Sequence, residues 1–365
     1  MEGLDMTPDA WRGTRVFITG HTGFKGGWLS LLLSELGARV YGYSLAPPTH
    51  PNLFQVCRLQ SRLASHSMAD IRDPAALRAA MSAAQPEVVF HLAAQPLVRR
   101  SYRTPLETIE TNVMGTARVL QAATEVGGVR AVINVTSDKC YENRESTVPY
   151  REDHAMGGHD PYSASKGCAE LVTSAWRRSF MEPAGIQLAS VRAGNVIGGG
   201  DWAEDRLLPD FLRAIDAGRE LVLRSPDATR PWQHVLEPLR GYLMLAERLR
   251  GAGGADFADG WNFGPSTTDV RPVRWIAERL CAATPGARWS IDSSAVPHEA
   301  CLLSLDSSKA RTELGWKPRW DAEQAILRTL DWYRAWKSGE DMVRFTLEQA
   351  REHGTLPTTA GSATL

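Results

Sequence analysis

Tyr162 and Lys166 stand four residues apart in Tyr-Ser-Ala-Ser-Lys, one helical turn and therefore on one face. An ammonium beside a phenol favours the phenolate, so the pair can act as a base near neutrality, and the lysine can also hold a ribose. One element earlier, Thr136-Ser137-Asp138-Lys139 follows the apolar run Val129–Val135. Ser137 is suited to hydrogen-bond the oxygen that Tyr162 deprotonates. A simple dehydrogenation needs one proton-transfer group besides its hydride acceptor. Elimination of water also needs an acid for the leaving hydroxyl and a base for the adjacent C–H. Asp138 and Lys139, side by side, can supply both.

A hydride acceptor is implied near the start of the chain, where Thr19-Gly20-His21-Thr22-Gly23-Phe24-Lys25-Gly26 joins an apolar run to an apolar helix. Gly20 permits a tight turn, Gly23 lets backbone approach a pyrophosphate, and Gly26 allows close helix–sheet packing, with the phosphates at the helix N-terminus. Thr22, Phe24 and Lys25 belong to the same contact region. The second strand ends Tyr43-Ser44-Leu45, without an acid for a ribose 2′-hydroxyl or an arginine for a 2′-phosphate, so NAD and NADP both stay open on chemistry alone. Asp70 and Ile71 are candidates for the adenine, and Ala93, Ala94 and Gln95 for the cofactor wall.

These groups need a scaffold that brings strand ends together. Apolar runs at 15–19, 39–45, 88–93, 129–135 and 186–191, with a short one before Asp70, alternate with helical segments at 74–84, Pro105–Val126 and Tyr162–Ser179. Continuous apolar strands separated by helices predict a doubly wound parallel α/β sheet of the Rossmann kind, with a smaller C-terminal substrate-binding lobe. The expected division is an N-terminal tail (1–12), a dinucleotide-binding domain (13–197) to which later segments can cross back, a mainly substrate-binding lobe (198–350) and a C-terminal tail (351–365). Helices are expected there near 205–217, 236–249 and 322–337. Trp28, Trp176, Trp261 and Trp316 are expected in the core or an interface.

With 365 residues and a formal net charge of −1, broad capture of nucleic acid or anionic membrane is not expected. The five cysteines are dispersed without a Cys-x-x-Cys pair, which suits free thiols. No signal-peptide pattern or spanning apolar stretch is seen, so a cytoplasmic protein is expected. His154 and His159 lack zinc-site spacing, and no metal is expected. No Gly-x-Ser-x-Gly elbow suggests a serine nucleophile.

Taken together, the motifs resemble the extended short-chain dehydrogenase/reductases (the NAD-dependent epimerase/dehydratase family). The segments His91–Arg99, Thr136–Tyr141, Arg192–Trp202 and Arg230–Val235 are similar to the CDP-glucose 4,6-dehydratase branch. The resemblance runs from about Arg15 to Trp336 and implies NAD as cofactor and CDP-glucose as substrate. It makes Ser137, Tyr162 and Lys166 the superfamily triad, Asp138 the acid for the 6-hydroxyl and Lys139 the base for C5, provided that lysine is unprotonated. It also suggests Asn195, Arg206, Arg230 and His234 as substrate contacts, with Arg206 and Arg230 on the diphosphate, and Arg99 and Ser101 beside them. A role in deoxysugar and surface-polysaccharide synthesis is implied, as is a homodimer, or a tetramer, pairing through Pro105–Val126 and Tyr162–Ser179. Lysine at 139 also occurs in some UDP-N-acetylhexosamine dehydratases, so another nucleotide sugar stays open. An epimerase has no use for the Asp138-Lys139 pair, and a non-catalytic nucleotide sensor has none for the triad.

Overall fold

β-branched and aromatic residues populate the strands, while aspartates and prolines open the helices. In the computed structural model, which describes residues 7–292 and 301–358, the first half contains strands β1 (Arg15–Thr19), β2 (Arg39–Ser44), β3 (Ser65–Met68), β4 (Val88–His91), β5 (Ala131–Val135) and β6 (Gln187–Ala193). Helices α1 (Phe24–Glu35), α2 (Leu53–Val56), α3 (Pro74–Ala84), α4 (Val98–Arg103), α5 (Pro105–Ile109), α6 (Gly115–Glu125) and α7 (Pro161–Trp176) lie among them. The second half adds β7 (Asn195–Ile197), α8 (Leu207–Asp216), β8 (Leu221–Leu223), β9 (Thr229–His234), α9 (Leu236–Arg250) and β10 (Gly260–Phe263). It ends with β11 (Val270–Pro272), α10 (Val273–Ala282), β12 (Trp289–Ile291), α11 (Ser308–Glu313), α12 (Ala322–Lys337) and α13 (Met342–Glu352).

The main sheet is parallel throughout, in the order β10-β6-β5-β4-β1-β2-β3. Strand order reverses between β1 and β4, which opens a crevice at their C-terminal ends. β4 and β5 are buried at every position, as strands covered on both faces must be. Two apolar layers enclose the sheet, one around α1 and α9, the other around α3 and α6. β10 and α9 thus come from the second half of the chain to complete the nucleotide-binding sheet. The smaller lobe holds the three-stranded sheet β11-β9-β7 and the pair β12-β8, packed with α8, α10 and α12.

Local chemistry explains the start of α7. Asp160 caps α7 by accepting from the Ser163 N–H at 3.0 Å, and Pro161 occupies the first turn, where its missing N–H costs nothing. The helix expected over Tyr162–Ser179 passes after Trp176 into a wider turn at Arg177–Met181. The one expected over Pro105–Val126 has such a turn at Glu110–Met114. Leu106, Ile109, Met114, Leu171 and Phe180 project into solvent from these two neighbouring helical stretches. Trp28, Trp261 and Trp316 are fully buried, whereas Trp176 is half-buried beside Phe180.

Both expected tails need correction. Trp11 is fully buried, donates to Glu247 at 2.7 Å and lies under the Arg250 guanidinium, so the packed chain begins before Arg12. At the other end Thr355 and Leu356 are buried beyond α13. Residues 1–6 and 359–365 of those tails lie outside the described residues. The free thiols of all five cysteines agree with their dispersed spacing.

Behind α7, Glu170 and Arg192 form a buried bidentate pair, with both N···O distances 2.9 Å. Thr136 and Ser190 supply further hydrogen bonds to the carboxylate. Glu170→Ala leaves the guanidinium buried and unpaired, a loss expected to cost about 3–5 kcal/mol. Chemical denaturation measures it, and an unchanged midpoint would show that the pair contributes nothing to stability.

Candidate active site

The glycine turn fits a dinucleotide. Gly20 adopts φ +80°, and a Cβ there would lie 2.7 Å from the Ala93 backbone nitrogen. At Gly26 a Cβ would stand 2.1 Å from the Gly20 carbonyl oxygen, so the first turn of α1 can approach the strand only without a side chain. Gly23 occupies the helix cap and offers no side chain to the free N–H groups, leaving them for an anion. Thr22 is committed to the turn itself, donating to the Leu45 carbonyl at 2.9 Å and contacting the Ser44 hydroxyl at 2.8 Å. Phe24 lies against Gly198, at the edge of the crevice.

Other cofactor candidates divide. Ala93 and Ala94 are half-buried beyond β4, with Ala93 against the turn. Asp70 forms an ion pair with Arg72 at 2.7 Å, which together with the Arg72 backbone N–H holds its carboxyl below the usual range. Ile71 is buried, with its side chain close to the backbone at Gly115. Gln95 staples its loop: its amide binds the Leu97 carbonyl and the Thr108 hydroxyl, and its carbonyl accepts from the Leu97 N–H.

At the end of β5, Ser137, Asp138, Tyr162 and Lys166 are all buried. The Ser137 hydroxyl donates to Asp138 Oδ1 at 2.9 Å and lies close enough to the Tyr162 phenol to influence its acidity. Asp138 Oδ2 is buried without a partner. Burial raises the Asp138 carboxyl above the ordinary range, although Lys139, Ser137, Arg230 and Lys25 pull the other way. Here is a carboxylic acid with one oxygen turned to no protein group and a reason to stay protonated. Lys139 is half-buried beside it.

Burial also pushes Lys166 down to about 8, opposed by Glu170, and its ammonium reaches the Val135 carbonyl at 3.4 Å. The expected lowering of the Tyr162 phenol by Lys166 is not what governs it. Burial pushes the phenol up to about 12, and Ser137 is the main opposing influence.

Around these groups, Arg230 is buried and within electrostatic reach of Asp138, with its guanidinium also on the Thr229 carbonyl at 2.9 Å. Arg206 pairs with Asp201 at 3.2 Å and acts electrostatically on Tyr162 and Lys25. Asn195 is half-buried on β7, beside Trp232 of β9. His234 is a core residue, fully buried between Trp28 and Trp320 and driven well below its ordinary pKa by burial. Ser101 is buried and supports the catalytic helix, accepting from the Tyr162 N–H at 3.1 Å and donating to the Val98 carbonyl at 2.6 Å. Arg99 is occupied by Asp205 at 3.0 Å.

Some contributors were not singled out by their motifs. Lys25, read only as part of the cofactor turn, is pushed down to about 7 by burial and by Arg206, with Asp138 opposing. Glu170 supports Lys166 from four residues further on, an i,i+4 relation legible in the sequence. Tyr242 lies buried on α9, its ring centre 6.0 Å from the Lys25 ammonium. No metal-holding cluster occurs among the described residues.

The chain matches the sequence profile of the family described as GDP-mannose 4,6 dehydratase over residues 17–329. It is 54% identical over 339 residues to CDP-glucose 4,6-dehydratase of Salmonella typhimurium, covering 91% of this chain and 94% of that one. It is 27% identical to dTDP-glucose 4,6-dehydratase of Shigella flexneri, over 73% and 78% of the two chains. The fold is shared with a dTDP-glucose 4,6-dehydratase of Streptomyces venezuelae solved with NAD (TM-score 0.73, 24% identity, 90% and 100% coverage). A Thermotoga maritima UDP-glucose 4-epimerase shares it too (TM-score 0.75, 22% identity, 88% and 99% coverage).

Gly26→Ala forces the α1 backbone away from the strand and is expected to weaken NAD binding at least about tenfold, consistent with the role of the third glycine. Calorimetric titration of NAD into the purified variant measures this, and wild-type affinity would show that the turn does not cradle the pyrophosphate.

Proposed function

We propose that this chain, which belongs to the GDP-mannose 4,6 dehydratase family, removes water from CDP-glucose to give CDP-4-keto-6-deoxyglucose. The observation that carries this reading is Asp138, a buried carboxyl with an unpartnered oxygen, hydrogen-bonded through the other oxygen to Ser137. Oxidation at C4 alone leaves such an acid without work. Close similarity along nearly the whole chain to a CDP-glucose 4,6-dehydratase supports the choice of nucleotide.

NAD held at the glycine turn supplies a transient hydride acceptor for C4 and the donor for C6, and the sum is redox-neutral. Tyr162 takes the 4-hydroxyl proton, with Ser137 holding that oxygen. Lys166 holds the nicotinamide ribose. A ketone at C4 acidifies the C5 hydrogen, and Lys139 removes it. Asp138 gives its proton to the departing 6-hydroxyl, so water leaves across C5–C6. The proton held on Lys139 returns to C5 as hydride enters C6, and the proton taken by Tyr162 replaces the one Asp138 gave up. Arg206 and Arg230 bind the diphosphate, where planar guanidiniums suit paired oxygens, and Asn195 lies toward the sugar.

A homodimer belongs to the same proposal. Exposed Leu106, Ile109, Met114, Leu171 and Phe180 on adjoining helical stretches suit a second copy of the chain. No described helix is long and apolar enough to cross a membrane, and a cytoplasmic site of action is proposed with the nucleotide-sugar substrate.

Incubation with CDP-, dTDP-, UDP- and GDP-hexoses and catalytic NAD tests the substrate, with product mass as readout. Loss of one water from CDP-glucose alone is expected. Turnover of another nucleotide alone would keep the chemistry and overturn the substrate, and isomerisation without mass loss would make the chain an epimerase.

Asp138 serves as an acid only while protonated. Activity is therefore lost as pH rises through its elevated pKa, at a higher pH than an ordinary carboxyl near about 4 would give. Asp138→Asn is expected to lower kcat about 10²–10⁴-fold, the usual contribution of a general acid, and to abolish that alkaline limb. A variant retaining both the rate and the limb would remove Asp138 from the mechanism.

A further inference from the structure

Asp205 has a conformation and a set of partners that the proposed chemistry does not use. It adopts φ +57°, in the left-handed region that aspartate and asparagine tolerate better than other residues with a side chain. Its Oδ1 accepts from Arg99 and from Arg224, each at 3.0 Å. Burial opposes the charged form, but the two guanidiniums hold the carboxyl below its usual range. Asp205 is thus a carboxylate clamped between two cations at a backbone reversal.

The three partners belong to different parts of the molecule. Arg99 lies on α4, which also carries Ser101, whose hydroxyl accepts from the Tyr162 N–H at 3.1 Å. Arg224 follows β8 in the smaller lobe. Arg206 is the next residue in the chain, at the cap of α8, and is near enough to Tyr162 to influence its phenol. The clamp therefore ties the entrance of the catalytic helix to the smaller lobe at the turn that presents Arg206. Arg103 and Glu204 pair alongside at 3.4 Å, a second link between the same two segments.

We infer that Asp205 is a positioning residue for a nucleoside diphosphate: by locking the turn between Arg99 and Arg224 it holds Arg206, itself paired with Asp201, where the diphosphate of a sugar facing Tyr162 must lie. This rests on the reading of Arg206 as a diphosphate ligand. Arg99 then acts through Asp205, not by touching the substrate. A diphosphate ligand misplaced by a loosened turn loses binding, while the proton-transfer groups at the end of β5 keep their geometry.

The test compares wild type with Asp205→Asn and Asp205→Ala in the full chain, by calorimetric binding of CDP and CMP and by KM and kcat for CDP-glucose. Asparagine keeps the left-handed backbone and a neutral acceptor, whereas alanine keeps neither. The expected order of loss in CDP affinity is Asn, about tenfold, then Ala, about a hundredfold, within the range seen for truncated charge pairs. CMP affinity should change less than about threefold, KM should follow CDP binding, and kcat should stay within about threefold. Where the alanine variant does not fold, Arg99→Gln and Arg224→Gln carry the same expectation without touching the turn's backbone.

Equal losses for CDP and CMP would overturn the inference by making the clamp a general support of the lobe. Unchanged CDP affinity, or tighter binding, would overturn it as well. Should the wild type neither bind CDP nor convert CDP-glucose, the underlying functional reading fails, an outcome distinct from a normal wild type with an unaffected Asp205→Asn.

Discussion

Desolvation at the C-terminal end of β5 governs the chemistry of this molecule. Asp138, Tyr162, Lys166 and Lys25 share a space from which the protein has removed most water. Each is pushed toward its neutral form: the carboxyl and phenol upward, the two ammoniums downward. In water an aspartic acid would be ionised at neutral pH and unable to donate a proton. Packed together the four groups become a set whose protons are poised to move. Glu170 tempers the effect at Lys166, and Ser137 does so at Tyr162.

Such burial has to be supported, and the topology supports it from several sides. α7 is fixed at its start by Asp160, Pro161 and Ser101, and along its length by the Glu170–Arg192 pair. α9 and β10 come from late in the chain to close the sheet beneath β5 and β6. The crevice between β1 and β4 brings the glycine turn to the same edge of the sheet, so a nicotinamide and the buried acid can face one sugar. A reaction that borrows a hydride and returns it requires this sharing, because the oxidised intermediate must not leave.

Local motifs were legible because the requirements behind them are local. Gly20 and Gly26 are glycine for reasons contained within one strand–turn–helix unit, and the alternation of apolar runs with helices sufficed for the parallel sheet. What escaped was the destination of side chains whose partners are remote. Nothing near His234 announces that Trp28 and Trp320 will enclose it, and nothing near Trp11 announces Glu247 and Arg250. Ser101 and Gln95 sit in a family-like stretch, yet their polar atoms are consumed by Tyr162, Leu97 and Thr108. A motif marks where the chain passes a site, while hydrogen-bond satisfaction decides which of its side chains remain available.

Transient oxidation with return of the same hydride is the centre of the account, and CDP-glucose carrying deuterium at C4 tests it most directly. The account predicts one water lost and the deuterium found at C6 of the product, with no accumulation of labelled reduced cofactor. Deuterium released into free NADH, or retained at C4 of a sugar that has lost water, would contradict it.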